Sequence, residues 1–177
     1  HHYIATGKEE NKFGIPMEDL DQAIDTVTSC PNLELIGIHA HIGSQILEMN
    51  NFAGLSNRLN EVQAQLAKRH VYLDHLNMGG GLGIDYQYPD KQPIPDFTSY
   101  FRTYKNMVKL MDGQTLHVEP GRSVVGQCGS LITKVLYVKQ GARKTFAIVD
   151  AGMTDLIRPA LYQAYHKIEN ISSTDSM

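Results

Sequence analysis

Three clusters in this 177-residue sequence combine side-chain types that can do chemistry. The first is His39-Ala40-His41-Ile42-Gly43-Ser44-Gln45. It follows the apolar run Leu35-Ile36-Gly37-Ile38, which predicts a buried strand between the turn signals Pro31-Asn32 and Gly43-Ser44. Two histidines two residues apart on an extended chain project from one face. They suit hydrogen-bonded sheet residues, the start of a metal site, or an imidazole stacked on an aromatic cofactor ring. Ser44, on the turn that follows, is a small donor suited to a phosphate. The second cluster is Gly79-Gly80-Gly81-Leu82-Gly83, again after a predicted strand. Glycines in that place make either a plain turn or a close backbone approach to an anion, with several N–H groups aimed at it. The spacing fails the dinucleotide fingerprint, whose third glycine would fall on Ile84, and no Gly-Lys-Ser/Thr follows as in a P-loop.

The third cluster is Glu119-Pro120-Gly121-Arg122. Glu119 and Arg122 can be a rim salt bridge. A carboxylate at a strand exit can also pair with a pyridinium nitrogen and keep it protonated, so that the ring draws electrons. The planar fork of Arg122 suits a phosphate or a carboxylate.

The elements that must position these clusters follow one grammar. Pro16 and the acidic residues after it predict a helix to about Ser29, with Leu20, Ala23, Ile24 and Val27 as its stripe. A helix is expected from about Asn51 to Arg69, with Phe52, Leu55, Leu59, Val62 and Leu66 inward. Next come a strand at Tyr72–Met78, a Pro- and Tyr-rich loop over 85–95, and a helix from Asp96 to Met111 that Gly113 stops. That helix carries Phe97, Phe101, Tyr104, Val108 and Met111, and a short strand, Thr115–Val118, leads to Glu119. Strand, loop and helix alternating in this way predict parallel strands with crossover helices. After Ser123 the pattern changes to two strands, Gly129–Lys139 and Lys144–Val149, joined as a hairpin. A short irregular helix over 153–162 follows, and the polar end from Asn170 to Met177 is expected to fray.

Composition narrows the class. Hydrophobic residues are 42% and charged residues 20%, as in a folded globular chain. The net charge of −3, without a basic block, makes nucleic acid and anionic membrane poor partners. No run approaches the roughly 18 apolar residues of a spanning helix. Cys30 and Cys128 lack metal spacing and suit idle thiols in a reducing cytosol.

In order and spacing, the three clusters together with Arg158-Pro159-Ala160-Leu161-Tyr162 resemble the motifs of the diaminopimelate decarboxylase family. These are fold-type III pyridoxal-phosphate enzymes, grouped with alanine racemase and the eukaryotic ornithine decarboxylases. The segment from Thr6-Gly7 to Ile15 is also similar, so the likeness runs over nearly the whole chain. It implies an α/β fold: about the last three strands of an alanine-racemase-like (β/α)8 barrel that binds pyridoxal 5'-phosphate, in residues 1–122. Residues 123–177 would begin a β-rich C-terminal domain. Carried over by position, His41 would stack on the pyridine ring and Glu119 would meet its nitrogen, which makes these two the candidate catalytic residues. Ser44, Gly79, Gly80, Gly81 and Gly121 would bind the cofactor, and Arg122 would serve phosphate or substrate. Arg158 and Tyr162 resemble substrate residues. The implied reaction converts meso-2,6-diaminopimelate to L-lysine and carbon dioxide, in a cytoplasmic homodimer. Diaminopimelate carries a carboxylate at its far end, which suits an arginine. A distal ammonium, as in ornithine, would call for an acidic group.

The sequence departs from the family in two places. The lysine that carries the family's cofactor, in a Tyr-Ala-x-Lys-Ala-like context, has no counterpart among the ten lysines, and the later Cys-Glu motif is missing. The expectation is an internal piece of the enzyme, with a non-catalytic relative that binds the true enzyme as the alternative and a metal hydrolase on His39 and His41 as a distant third. An open partial barrel leaves sheet edges and apolar faces uncovered, so the piece alone is expected to fold poorly or to associate.

Overall fold

The computed structural model describes residues 13–172. The likeness over residues 6–12 and the end of the polar tail, 173–177, lie outside the described residues. A single 3-10 turn, Met17–Asp19, follows Pro16 and leads into α1 (Leu20–Ser29). Three short strands, β1 (Gly37–His39), β2 (His75–Asn77) and β3 (Thr115–His117), form a parallel sheet in the order β1-β2-β3. Between them run α2 (Met49–Lys68) and α3 (Phe97–Met107). This is the predicted crossover arrangement, with strands shorter than their apolar runs.

Strand alternation divides the two faces of the sheet. Ile38, Leu76 and Leu116 share one register row and pack against the helices. His39, Asn77 and His117 share the next row, and their side chains fall on the opposite face. There the His117 and His75 rings meet, Nε2 to Nδ1, at 3.0 Å.

The helix side carries the core. The α2 stripe is buried as its spacing requires, from Phe52 and Leu55 through Leu59 and Val62 to Leu66. Phe52 meets Tyr100 edge-on at 4.9 Å and Tyr104 at 6.0 Å between ring centroids. Burial pushes both phenols up, that of Tyr104 well above the usual tyrosine range. Phe52→Ala empties the centre of this triad and is expected to cost about 3–5 kcal/mol. Urea unfolding of the complete polypeptide measures it, and a loss under about 1 kcal/mol would contradict the packing described.

Helix α3 differs from expectation twice. Its buried face is Tyr100 and Tyr104, while Phe101 is exposed. It also ends at Met107, well before Gly113, because α2 caps it: Asn60 Nδ2 donates to the Met107 carbonyl at 2.8 Å and Asn60 Oδ1 accepts from the Lys109 amide at 2.9 Å. Val108 is therefore extended.

Beyond the sheet come a four-residue helix α4 (Arg122–Val125), which the sequence did not suggest, and the antiparallel hairpin β4 (Val135–Gln140) and β5 (Thr145–Val149). The first hairpin strand starts six residues later than predicted, at Val135, where the Asp150 carboxylate accepts from Thr133 Oγ1 and the Lys134 amide at 2.6 and 2.8 Å. The irregular helix condenses to α5 (Arg158–Tyr162). Every residue of β4 is exposed, Leu136, Tyr137 and Val138 among them. Among the described residues no helix is long and apolar enough to cross a membrane.

Candidate active site

The carboxyl ends of the three strands converge on the glycine turn. β2 runs out through Asn77, whose side chain makes two bonds: Oδ1 accepts from the Gly79 amide at 2.9 Å, and Nδ2 donates to Glu119 Oε1 at 2.7 Å. The Glu119 amide in turn donates to the Gly79 carbonyl at 2.7 Å. Gly79 and Gly81 hold φ of +64° and +116°, a region that L side chains avoid. Gly80 is needed for space instead. A Cβ there would lie 2.1 Å from the Glu119 carbonyl oxygen.

The two histidines of the first cluster separate. β1 ends at His39, and His41 lies beyond it with a partner of its own. His39 Nε2 stands 3.8 Å from Glu119 Oε2, with both side chains about half exposed. His41 Nδ1 accepts from the Gly80 amide at 3.3 Å, which leaves the ring proton on Nε2 in the neutral form. Ser44 is half-buried beside Gly43, whose carbonyl approaches Gly81. Among the described residues no group of three or more His, Cys, Asp or Glu is placed to hold a metal.

Arg122 leads away from the turn into a cavity of about 830 Å³. Its Nη1 donates to Gln45 Oε1 at 3.2 Å, and Gln45 is tied to the Ile84 amide and carbonyl. Arg158 and Tyr162 of α5 line the same cavity. Tyr86 stands between the two guanidinium groups, 4.7 Å from Arg158 and 5.9 Å from Arg122. The structure thus makes two adjoining groups, His41 with the glycines and Glu119, and Arg122 with Arg158 and Tyr162. All eight described lysines are exposed.

Sequence reasoning missed four participants. Asn77 was readable in principle, as the last strand residue before the glycines, and Gln45 closes the first motif. Tyr86 and His166 carried no local signal, since their contacts join segments far apart in the chain.

The pyridoxal-binding domain of the pyridoxal-dependent decarboxylases matches residues 1–126. The chain belongs to this family. A diaminopimelate decarboxylase of Bacteroides thetaiotaomicron is 62% identical over 175 residues, covering 99% of this chain and 45% of its own length. That of Neisseria meningitidis serogroup B is 42% identical over 175 residues, covering 99% and 41%. Among solved structures, the Helicobacter pylori diaminopimelate decarboxylase complexed with L-lysine superposes with a TM-score of 0.82 at 36% identity, over 94% of this chain and 41% of that one. The chain therefore spans under half the length of these relatives, and its fold is the matching part of theirs.

The residues present fit pyridoxal phosphate. An amide-anchored carboxylate suits a ring nitrogen that must stay protonated. The glycine turn is packed where a side chain would strike backbone, so an anion can come close to the chain. The Gly79 and Gly80 amides are used by Asn77 and His41, and the Gly81 amide is the one that suits the anion.

Proposed function

We propose that the complete polypeptide decarboxylates meso-2,6-diaminopimelate to L-lysine and carbon dioxide. The observation that carries this proposal is the cavity lined by two guanidinium groups, Arg122 and Arg158, next to the glycine turn. Diaminopimelate has two carboxylates, one lost and one kept, and two cations in one cavity match that chemistry. The names and identities of the relatives support the same substrate.

When bound, pyridoxal phosphate supplies a protonated ring able to accept the electron pair that departing carbon dioxide leaves on carbon. The chain's own residues prepare for that. Glu119 accepts the ring N–H and keeps the proton on nitrogen, while Asn77 holds the carboxylate in register with the glycine turn. His41 would pack on the ring. Ser44, Gly81 and Gly121 would hold the phosphate, with Gly79 and Gly80, whose amides bond Asn77 and His41, shaping the turn around it. Arg122 serves the substrate, since it shares the cavity and the Tyr86 ring with Arg158. Arg158 and Tyr162 bind the carboxylate that stays.

Residues 1–122 supply the barrel part, and 123–177 begin a second domain. The cofactor's lysine belongs to another part of the complete polypeptide. A cytoplasmic homodimer goes with the family resemblance and with the two free thiols.

The complete polypeptide, loaded with pyridoxal phosphate and given meso-diaminopimelate, is expected to release L-lysine and carbon dioxide in equal amounts. Borohydride reduction should leave a pyridoxyl group on a lysine other than the ten in this chain. Cofactor binding without lysine release would instead identify a non-catalytic relative.

A further inference from the structure

Arg158, which lines the cavity, makes a polar contact that neither motif accounts for, to a residue outside the lining. Arg158 Nη1 donates to His166 Nε2 at 3.0 Å. The imidazole also meets the Tyr86 ring edge-on at 5.2 Å, and the Arg158 guanidinium lies 4.7 Å over that same ring. Local backbone explains how His166 reaches back to α5. Gln163 adopts a left-handed φ of 52° at the end of the helix, and the Ala164 amide bonds the Arg158 carbonyl at 3.3 Å, so the chain reverses. Lys167 then pairs with Asp90 of the loop before α3 and with Glu169, which fastens the returning segment to that loop.

We propose that His166 is a positioning residue for Arg158: the neutral imidazole holds the guanidinium against Tyr86 for the carboxylate that the substrate keeps, and protonation releases it. This rests on the substrate assigned above. The bond requires a lone pair on Nε2, hence an uncharged ring with its proton on Nδ1. An imidazolium has no acceptor to offer and repels the arginine. The charged and titratable groups around His166 are Arg158 on α5, Tyr86 on the facing loop, and Lys167 with its partners Asp90 and Glu169. Among the described residues no carboxylate bonds the imidazole to favour its charged form. Burial, followed by the Arg158 charge, holds His166 below the usual histidine range. The neutral form, and the placement of Arg158, is therefore present near neutral pH and lost as pH falls through that lowered value.

The test uses two ligands that differ by the retained carboxylate, L-lysine and 1,5-diaminopentane, titrated by calorimetry into the complete cofactor-loaded protein. The wild-type affinity for L-lysine is expected to fall about tenfold between about pH 8 and about pH 5, with that for diaminopentane little changed. His166→Gln, whose carbonyl oxygen accepts from Arg158 without titrating, should bind L-lysine with a flat pH profile. His166→Ala should raise KM for meso-diaminopimelate about tenfold at about pH 8, with kcat within about twofold.

A wild-type preference for L-lysine that does not change with pH overturns the role of His166, whether or not either variant folds. So does a His166→Gln protein that retains the wild-type pH dependence. L-lysine binding no tighter than diaminopentane at about pH 8 would remove the distal-carboxylate role of Arg158, and the inference with it. Decarboxylation of meso-diaminopimelate remains a separate measurement.

Discussion

Gly80→Ala is expected to abolish cofactor binding in the complete polypeptide, because the added methyl has nowhere to go. Its Cβ would lie 2.1 Å from the Glu119 carbonyl oxygen and 3.1 Å from the Glu119 carbonyl carbon. Both are backbone atoms, so no rotamer change relieves the clash. The exits of β2 and β3 must part, which breaks the 2.7 Å bond from the Glu119 amide to the Gly79 carbonyl. It also pulls Glu119 away from Asn77, while the Gly80 amide leaves His41. One displacement thus moves the proposed ring-nitrogen partner and the proposed phosphate turn together. A shift near 1 Å at such a site costs on the order of 100-fold in turnover. Titration with pyridoxal phosphate, followed by absorbance, reads the loss directly. Gly54→Ala is the control: it lies within α2 with nothing within 4 Å of its Cβ, and alanine there should stabilise the helix by up to about 1 kcal/mol. Cofactor affinity within a few-fold of wild type for Gly80→Ala would show that the glycine turn is not the phosphate cradle.

Glu119→Gln is expected to separate binding from chemistry. The amide oxygen can still accept from Asn77 Nδ2, so the 2.7 Å anchor and the shape of the site survive. The negative charge does not. Without it nothing favours the protonated ring nitrogen, and the ring becomes a poor acceptor of electrons. Loss of one such electrostatic partner costs on the order of 100- to 1,000-fold in kcat. Cofactor affinity should fall far less, because the glycines and Ser44 are untouched. Asn77→Ala keeps the charge and removes both bonds that orient it, one to Glu119 and one from Gly79, and a loss of about tenfold is expected. Steady-state kinetics with meso-diaminopimelate, beside cofactor titration for each variant, checks the order. A Glu119→Gln protein within about threefold of wild-type kcat would sink the assignment of Glu119 to the ring nitrogen.

The sequence by itself determined whatever rests on local spacing. The three- and four-residue recurrence of Phe52, Leu55, Leu59, Val62 and Leu66 was enough to place α2 and its buried face. Alternation of strand-like and helix-like segments was enough for parallel strands, since a connection of that length favours a crossover. The glycines, Glu119 and Arg122 could be found because each sits within a few residues of a strand exit. Other features depend on atoms brought from elsewhere, and only the tertiary structure decided them. α3 stops at Met107 because Asn60, on another helix, caps it. Tyr100 rather than Phe101 is buried because Phe52 presents its ring there. His39 and His41 turn to different partners because β1 ends at His39, and His41 lies beyond it with its ring bonded to the Gly80 amide. Asn77 joins two motifs by two bonds of one side chain, and Tyr86, Arg158 and His166 meet across a loop and a chain reversal. Periodicity encodes which face of an element is buried, whereas a hydrogen bond between distant segments exists only after packing has set its length.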